Sequence, residues 1–252
     1  MRKLILLITT ALVVLACKQE AKKEVVKEEK VEENFPVALG EVFEKHGGIK
    51  SWRAAKTLSF GVNNEEHIVD LPSRKTVVNA KDYSLGFDGK EIWLHQQDTN
   101  VFKGNKEFYH NLYFYFYAMP FVLADDGIIY SEAKPLEFEG MSYLGIKISY
   151  EANIGTSPDD NYYLYYHPET KQMAWLGYTV TYFSKKPSEK ANLIRYNDWE
   201  NVNGFILPKS ITWYKKDDNG NPTEPARDPI QFSLPLISQA SLAGSFFEKP
   251  NQ

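Results

Sequence analysis

From residue 57 onward, apolar and polar positions alternate along the chain. Leu58, Phe60 and Val62 fall on one side of the pattern with small or polar residues between them, the period of a half-buried strand. Asn63-Asn64 separates this run from 65–71, Asp88-Gly89 separates 83–87 from 91–95, and Glu139-Gly140 separates 136–138 from 143–150. Each pair of runs reads as a hairpin with a tight turn. Residues 167–171 turn 162–166 back into 174–183, Asn203-Gly204 joins 192–199 to 205–215, and 230–237 closes the series. The count is about eleven strands joined mostly by short loops, which predicts one antiparallel meander.

Three stretches depart from this rhythm. Residues 35–46 place Val37, Leu39, Val42 and Phe43 near helical spacing, with Pro36 in the first turn and Gly47 at the C-terminal cap, so an amphipathic helix is expected. A short helical piece around Trp52 follows over 49–55. Residues 108–123 carry apolar or aromatic groups at nearly every position. Alternation is absent there, and the run predicts a helix kinked or ended near Pro120. Such a helix is buried on all sides or faces a cavity. It either plugs the concave face of a curved sheet or lids a lipid-sized pocket.

The N-terminus decides where this body works. Arg2 and Lys3 precede an apolar run over 4–15 that is too short to span a bilayer, which takes about 20 residues. The run ends in Val14-Leu15-Ala16-Cys17, the pattern of a lipoprotein signal peptide. Residues 1–16 are therefore read as a signal and Cys17 as the lipidated mature N-terminus, palmitate included. Residues 17–34 contain almost only Lys, Glu, Gln, Ala and Val and read as a charged tether, spanning roughly 20 to 25 Å as a flexible chain. Residues 35–252 form a single domain. Lys18 stands where an inner-membrane retention signal has Asp, which points to the outer membrane, on its periplasmic or its surface side.

Composition removes several function classes. The net charge is −4, with lysines and acids mixed along the chain, so there is no electrostatic footprint for nucleic acid. With the single cysteine carrying lipid, no thiol is left for a disulfide, a metal or a nucleophile. Aromatics make up 14% of the chain, which suits strands around an apolar interior.

Candidate chemistry is sparse. Asp125-Asp126, Asp159-Asp160 and Asp217-Asp218 each sit beside Gly, Pro or Asn, where Asp serves turn geometry. Asp217, Asn219, Asn221 and Asp228 imitate a calcium loop, but Pro222 stands where such a loop needs Gly, and a polar hairpin tip is the better account. His46, His67, His95, His110 and His167 show no metal-ligand spacing, and His46 falls at a helix end, where a cation is favoured. No nucleophile elbow or Gly-rich phosphate loop is present. No catalytic residue, metal or cofactor is expected.

Several stretches together resemble a family of lipoproteins from Gram-negative bacteria and, beyond it, the LolA-like group of lipoprotein carriers and lipid-binding lipoproteins. They are His46-Gly47-Gly48 with Trp52, the run Phe87-Asp88-Gly89-Lys90-Glu91-Ile92-Trp93, and residues 111–127 with Ala118-Met119-Pro120-Phe121. Ser157-Pro158-Asp159-Asp160, Arg195-Tyr196-Asn197-Asp198-Trp199 and Gly204 with Leu207-Pro208 complete the set. The resemblance implies a mainly β, α+β fold: a curved antiparallel half-barrel with helices packed in its concave face. In the wider group that hollow takes up acyl chains. The expected function is a membrane-tethered, non-enzymatic protein that binds a lipid or another apolar ligand. Tyr113, Phe114, Phe116, Tyr117, Met119 and Phe121 are its expected lining, with Trp93 and Trp175 as additions from strands. The alternative is an interaction protein of the cell envelope whose hollow is filled by its own helix. A hydrolase would need Asp, His or Ser converging in the pocket.

Overall fold

The computed structural model describes residues 35–99, 101–150, 160–181 and 191–250. Cys17, the signal and the tether lie outside the described residues, as do Ser157, Pro158, Asp159 and the end of the strand expected over 174–183. From Phe35 onward the chain is one compact unit.

Two helices open it, α1 (Val37–Lys45) and α2 (Ile49–Ala54). Leu39, Val42 and Phe43 form the buried stripe of α1, and Ile49 and Trp52 that of α2. Five strands follow: β1 (Thr57–Val62), β2 (Glu65–Asp70), β3 (Thr76–Asn79), β4 (Tyr83–Phe87) and β5 (Ile92–Gln96). Two short helices, α3 (Lys106–Tyr109) and α4 (Leu112–Tyr117), and a 3-10 turn over Phe121–Ala124 lead into the second half. That half holds β6 (Ile128–Phe138), β7 (Met141–Tyr150), β8 (Tyr162–Tyr166), β9 (Met173–Tyr178), β10 (Asn192–Val202) and β11 (Phe205–Lys216). Short β12 (Pro222–Pro225) and long β13 (Ile230–Ser238) finish the sheet, and a 3-10 turn over Gly244–Phe247 ends the fold.

All strands join one antiparallel sheet in the order β5-β4-β3-β2-β1-β13-β11-β10-β9-β8-β7-β6, with β12 beside β11. The sheet is open and curved, and the helices fill its concave face, the half-barrel that the resemblance implies. It is two meanders stapled together by the last strand, whereas the sequence pattern suggested a single one. Local patterning cannot register an insertion of this kind, because β13 meets β1 across most of the chain. The hairpin turns lie where expected: Asn63 and Asn64 have φ of 51° and 62°, and Glu139 and Asn203 have φ of 51° and 52° before Gly140 and Gly204. These are the left-handed conformations that two-residue hairpins demand. Strands β3 and β12, four residues each, are too short to show a period.

The main core lies between helices and sheet, with Leu58, Phe60, Val69, Leu164, Leu176, Ile194, Leu207 and Ile211 from the strands. Residues between these positions face the convex side, where two satellite clusters form. In one, Ile68, Val77 and Trp93 are covered by Phe247. In the other, Leu136, Phe138, Trp175 and Leu193 pack together. The β6–β7 register shifts between Ala133 and Leu136, at Pro135 on the edge strand, a usual place for proline. The hairpin tip beyond it lies against β9 and β10.

His46 is a correction to the helix-end reading. It does cap α1, but it is fully buried, and its ring joins three elements as a neutral group. Nδ1–H donates to the Ile206 carbonyl at 2.8 Å and Nε2 accepts the Met173 N–H at 3.2 Å. The Ile206 N–H in turn donates to the His46 carbonyl at 2.9 Å. Gly47 follows at φ 115°, and a Cβ there would lie 2.6 Å from the Gly204 carbonyl oxygen. The His46-Gly47-Gly48 and Gly204 motifs are thus two sides of one contact.

Candidate functional site

The aromatic run folds as three short pieces in place of one helix. Asn105 caps α3, accepting the Phe108 N–H at 2.8 Å, and α4 restarts at Leu112. The Met119–Pro120 peptide is cis, and the 3-10 turn follows. The Tyr196 hydroxyl donates to the Phe116 carbonyl at 2.9 Å, satisfying one of the orphan acceptors at the end of α4.

This geometry sends the expected ligand residues in different directions. Tyr109, Tyr113 and Tyr117, four apart, face β1, β2 and β13. There the Tyr117 ring stacks on Phe60 at 4.4 Å and meets Phe232 at 4.7 Å. Tyr113 accepts the Asn63 side-chain amide at 2.7 Å. Phe114 lies under the Arg74 guanidinium. Phe121 stacks on Trp52 at 4.5 Å, against Phe205. Phe116 and Met119 face the other way, toward β7, β8 and β9.

Between α3–α4 and those strands lies a cavity of about 230 Å³. Leu112, Tyr115, Phe116 and Met119 wall it on the helical side, and Tyr150, Tyr162, Tyr178 and Val180 on the sheet side. Glu107, Asn111, Asp160 and Thr179 supply its polar positions. Register builds the sheet wall, since Tyr162 pairs directly with Tyr178 across β8 and β9 and their side chains share the concave face. Burial pushes the phenols of Tyr115, Tyr150, Tyr162 and Tyr178 up from their ordinary range, so all are neutral donors at pH 7. Asp160 accepts the Thr181 N–H at 2.6 Å and the Thr179 hydroxyl at 3.4 Å.

Trp93 and Trp175 stand away from the cavity. Trp93 lies on the convex side, its indole N–H donating to the Phe247 carbonyl at 2.8 Å. Gly86 makes room for it, since a Cβ there would come within 2.7 Å of the indole. Trp175 sits in the other convex cluster beside Phe138 and Tyr214, with Arg195 over all three rings. The register slips by one residue between Trp175 and Met173, and this bulge turns Met173 to the core while Trp175 faces out. The sequence reading passed over Tyr150, Tyr162 and Tyr178. Their signal was a tyrosine at the end or start of three successive strands.

A buried polar cluster stands beside the helices on the β1–β2 side. Glu65 accepts His67 Nε2–H at 2.9 Å, the Tyr83 hydroxyl, and the Tyr109 hydroxyl at 3.0 and 2.9 Å to its two oxygens. Burial pushes the Glu65 carboxyl up, but the hydrogen bonds from His67, Tyr83 and Tyr109 outweigh it and hold it below the ordinary carboxylate range. Burial and the Glu65 charge raise both phenols. With every donor aimed at one carboxylate, the cluster ties α3 to the sheet. Among the described residues no group of three His, Cys, Asp or Glu could hold a metal ion, and no helix is long and apolar enough to cross a membrane. Asp217 accepts the N–H groups of Asn219 and Asn221 at 2.9 and 2.8 Å, the geometry of a hairpin tip.

Comparison with known proteins adds the following. No curated protein matches the chain. Among solved structures it is similar to a LolA superfamily protein, NE2245, from Nitrosomonas europaea, at 9% identity and a TM-score of 0.42, over 82% of this chain and 96% of that one. It is also similar to a DUF1329 family protein from Desulfovibrio piger, at 11% identity and a TM-score of 0.40, over 84% of this chain and 97% of that one. Likeness at this level says nothing of a ligand. The model of a family of unknown function, DUF6503, matches residues 69–221, more than half of the chain, and the protein belongs to that family.

Proposed function

We propose that the protein is a non-enzymatic lipoprotein of the cell envelope, anchored through lipid on Cys17, which holds one apolar tail or ring system in the cavity between α4 and β7–β9. The observation that carries this reading is the cavity itself, walled by Leu112, Phe116, Met119 and four tyrosines. Its volume limits the ligand. An apolar cavity of about 150 Å³ takes benzene, and pockets for larger ligands start at about 300 Å³. A single acyl segment fits this range and the two tails of a phospholipid do not. Binding is partition, each buried CH₂ contributing about 0.8 kcal/mol. The hydroxyls of Tyr115, Tyr150, Tyr162 and Tyr178 and the Asn111 amide supply polar contacts at the walls.

A second reading, an interaction protein whose hollow is filled by its own aromatics, is favoured by Phe114, Tyr117 and Phe121, all buried in the core. Native mass spectrometry with lipid extraction separates the two. A stoichiometric apolar adduct on the Cys17→Ser protein, which without its anchor is purified free of detergent, supports binding. A clean apo mass that persists after incubation with fatty acids and phospholipids refutes it. For the anchor, Cys17→Ser is expected to abolish incorporation of labelled palmitate and to release the protein from the membrane fraction.

A further inference from the structure

The loop between β12 and β13 places a cation on Trp213, a ring that touches two residues of the cavity wall. The Ala226 N–H donates to the Trp213 carbonyl at 2.7 Å, and this sets the next residue, Arg227, over the Trp213 ring with its guanidinium carbon 3.5 Å from the ring centre. A planar guanidinium at that distance is stacked face-on. Stacking fixes its plane and leaves its five N–H donors pointing outward from the edge. Arg227 is exposed, and among the described residues no carboxylate pairs with it. Arg74 and Arg195 differ in this respect, since Arg74 is paired with Asp125 and Arg195 faces Glu139 at 3.7 Å.

One ring separates this cation from the cavity wall. Trp213 Nε1–H donates to the Tyr178 hydroxyl at 2.8 Å, and the Trp213 ring meets Phe116 edge-on at 5.5 Å. Tyr178 and Phe116 both line the cavity. Topology puts the two features on the same rim of the half-barrel. Tyr162 opens β8, Tyr178 ends β9, and Asn192 opposite it opens β10, whose Ile194 pairs with Trp213 near the end of β11. The charge of Arg227 also reaches Tyr178 and Tyr113, where it counters part of the rise that burial imposes on each phenol. The two carboxylates on the cavity wall are engaged elsewhere, Glu107 with Lys106 at 3.7 Å and Asp160 with Thr179 and Thr181.

We propose that Arg227 is the head-group anchor for a single-tailed anionic amphiphile, with a carboxylate or phosphate head on the guanidinium edge and its tail in the cavity; this rests on the binding reading above. A planar fork suits either head because both offer two oxygens to parallel N–H donors. Trp213 acts as the platform that holds the fork in place.

The test compares decanoate, decyl phosphate, 1-decanol and inorganic phosphate on the full-length protein at pH 7, with binding read by calorimetry and by tryptophan fluorescence. Wild type is expected to bind decanoate and decyl phosphate more tightly than decanol. Arg227→Gln is expected to weaken both anions by about tenfold or more, the worth of a charge-assisted hydrogen bond, and to leave decanol unchanged. Arg227→Lys, which keeps the charge and loses the fork, is expected to fall between. Equal binding of decanol and decanoate by wild type, or an unchanged ratio in Arg227→Gln, overturns the anchor while the cavity reading stands. Phosphate alone binding as tightly as decyl phosphate also overturns it, since the tail then contributes nothing. Failure of all three tailed ligands overturns the cavity reading and the anchor together.

Discussion

His46 makes the stability of this fold depend on pH in a direction and by an amount that follow from its contacts. The ring is fully buried, donates from Nδ1 to Ile206 and accepts at Nε2 from Met173. A second proton would replace that acceptor with a donor facing an N–H. Burial lowers its pKa from 6.5 to about 4, against the pull of the Ile206 carbonyl and with a small push from Lys45. The unfolded chain therefore takes up a proton near pH 6.5 and the folded chain only near pH 4. Stability from the neutral ring is present above pH 6.5, falls as the pH drops through this window, and is lost below about 4. At about 1.4 kcal/mol per pKa unit the loss comes to about 3 kcal/mol. Carboxylates titrate in the same range, so the quantity to measure is the difference between wild type and His46→Gln, whose amide can donate and accept without titrating. Urea unfolding is followed by tryptophan fluorescence, with Trp199 as a local reporter 4.5 Å from the imidazole. Wild type is expected to be more stable at pH 7.5 by about 1 to 2 kcal/mol, for two hydrogen bonds held in better geometry. By pH 4 the order is expected to reverse. A difference that stays constant from pH 7.5 to 4 would refute the neutral, buried assignment.

Four further outcomes follow from other contacts. Tyr109→Phe removes the hydroxyl that reaches both oxygens of Glu65 and is expected to cost about 1.5 to 3 kcal/mol; an unchanged urea midpoint would show that the cluster does not tie α3 down. Tyr117→Ala, which empties a fully buried site between Phe60 and Phe232, is expected to cost about 3 to 5 kcal/mol. Phe116→Ala, beside existing free space, should cost less and change ligand uptake instead, and the reverse ranking in thermal unfolding would assign Phe116 to the core. Gly47→Ala must place a methyl against the Gly204 carbonyl at φ 115°, so a loss of at least about 2 kcal/mol is expected, read as a lowered unfolding midpoint.

Much of the architecture is written locally. Asn63-Asn64, Glu139-Gly140 and Asn203-Gly204 take positive φ with little steric cost at the Asn and Gly positions, so the hairpins around them follow from neighbouring residues alone. Leu39, Val42 and Phe43 likewise mark the buried face of α1 through spacing. The proposed anchor at Cys17 rests on the residue pattern alone, since residues 1–34 lie outside the described ones.

Other features belong to the tertiary structure because their partners are far apart. The insertion of β13 between β1 and β11 joins residues such as Leu58 and Ile237, a choice made by shared burial and not by a turn. His46 is neutral because the fold buries it, and its two ring partners, Ile206 and Met173, lie 160 and 127 positions away. In the aromatic run nearly every side chain is apolar enough for any face. Docking against the sheet alone decides that Tyr117 and Phe121 fill the core while Phe116 and Met119 border open space. Tyr162 and Tyr178, which help to close that space, meet only because β8 and β9 pair in one register, and a slip of one residue would turn one of them to the opposite face.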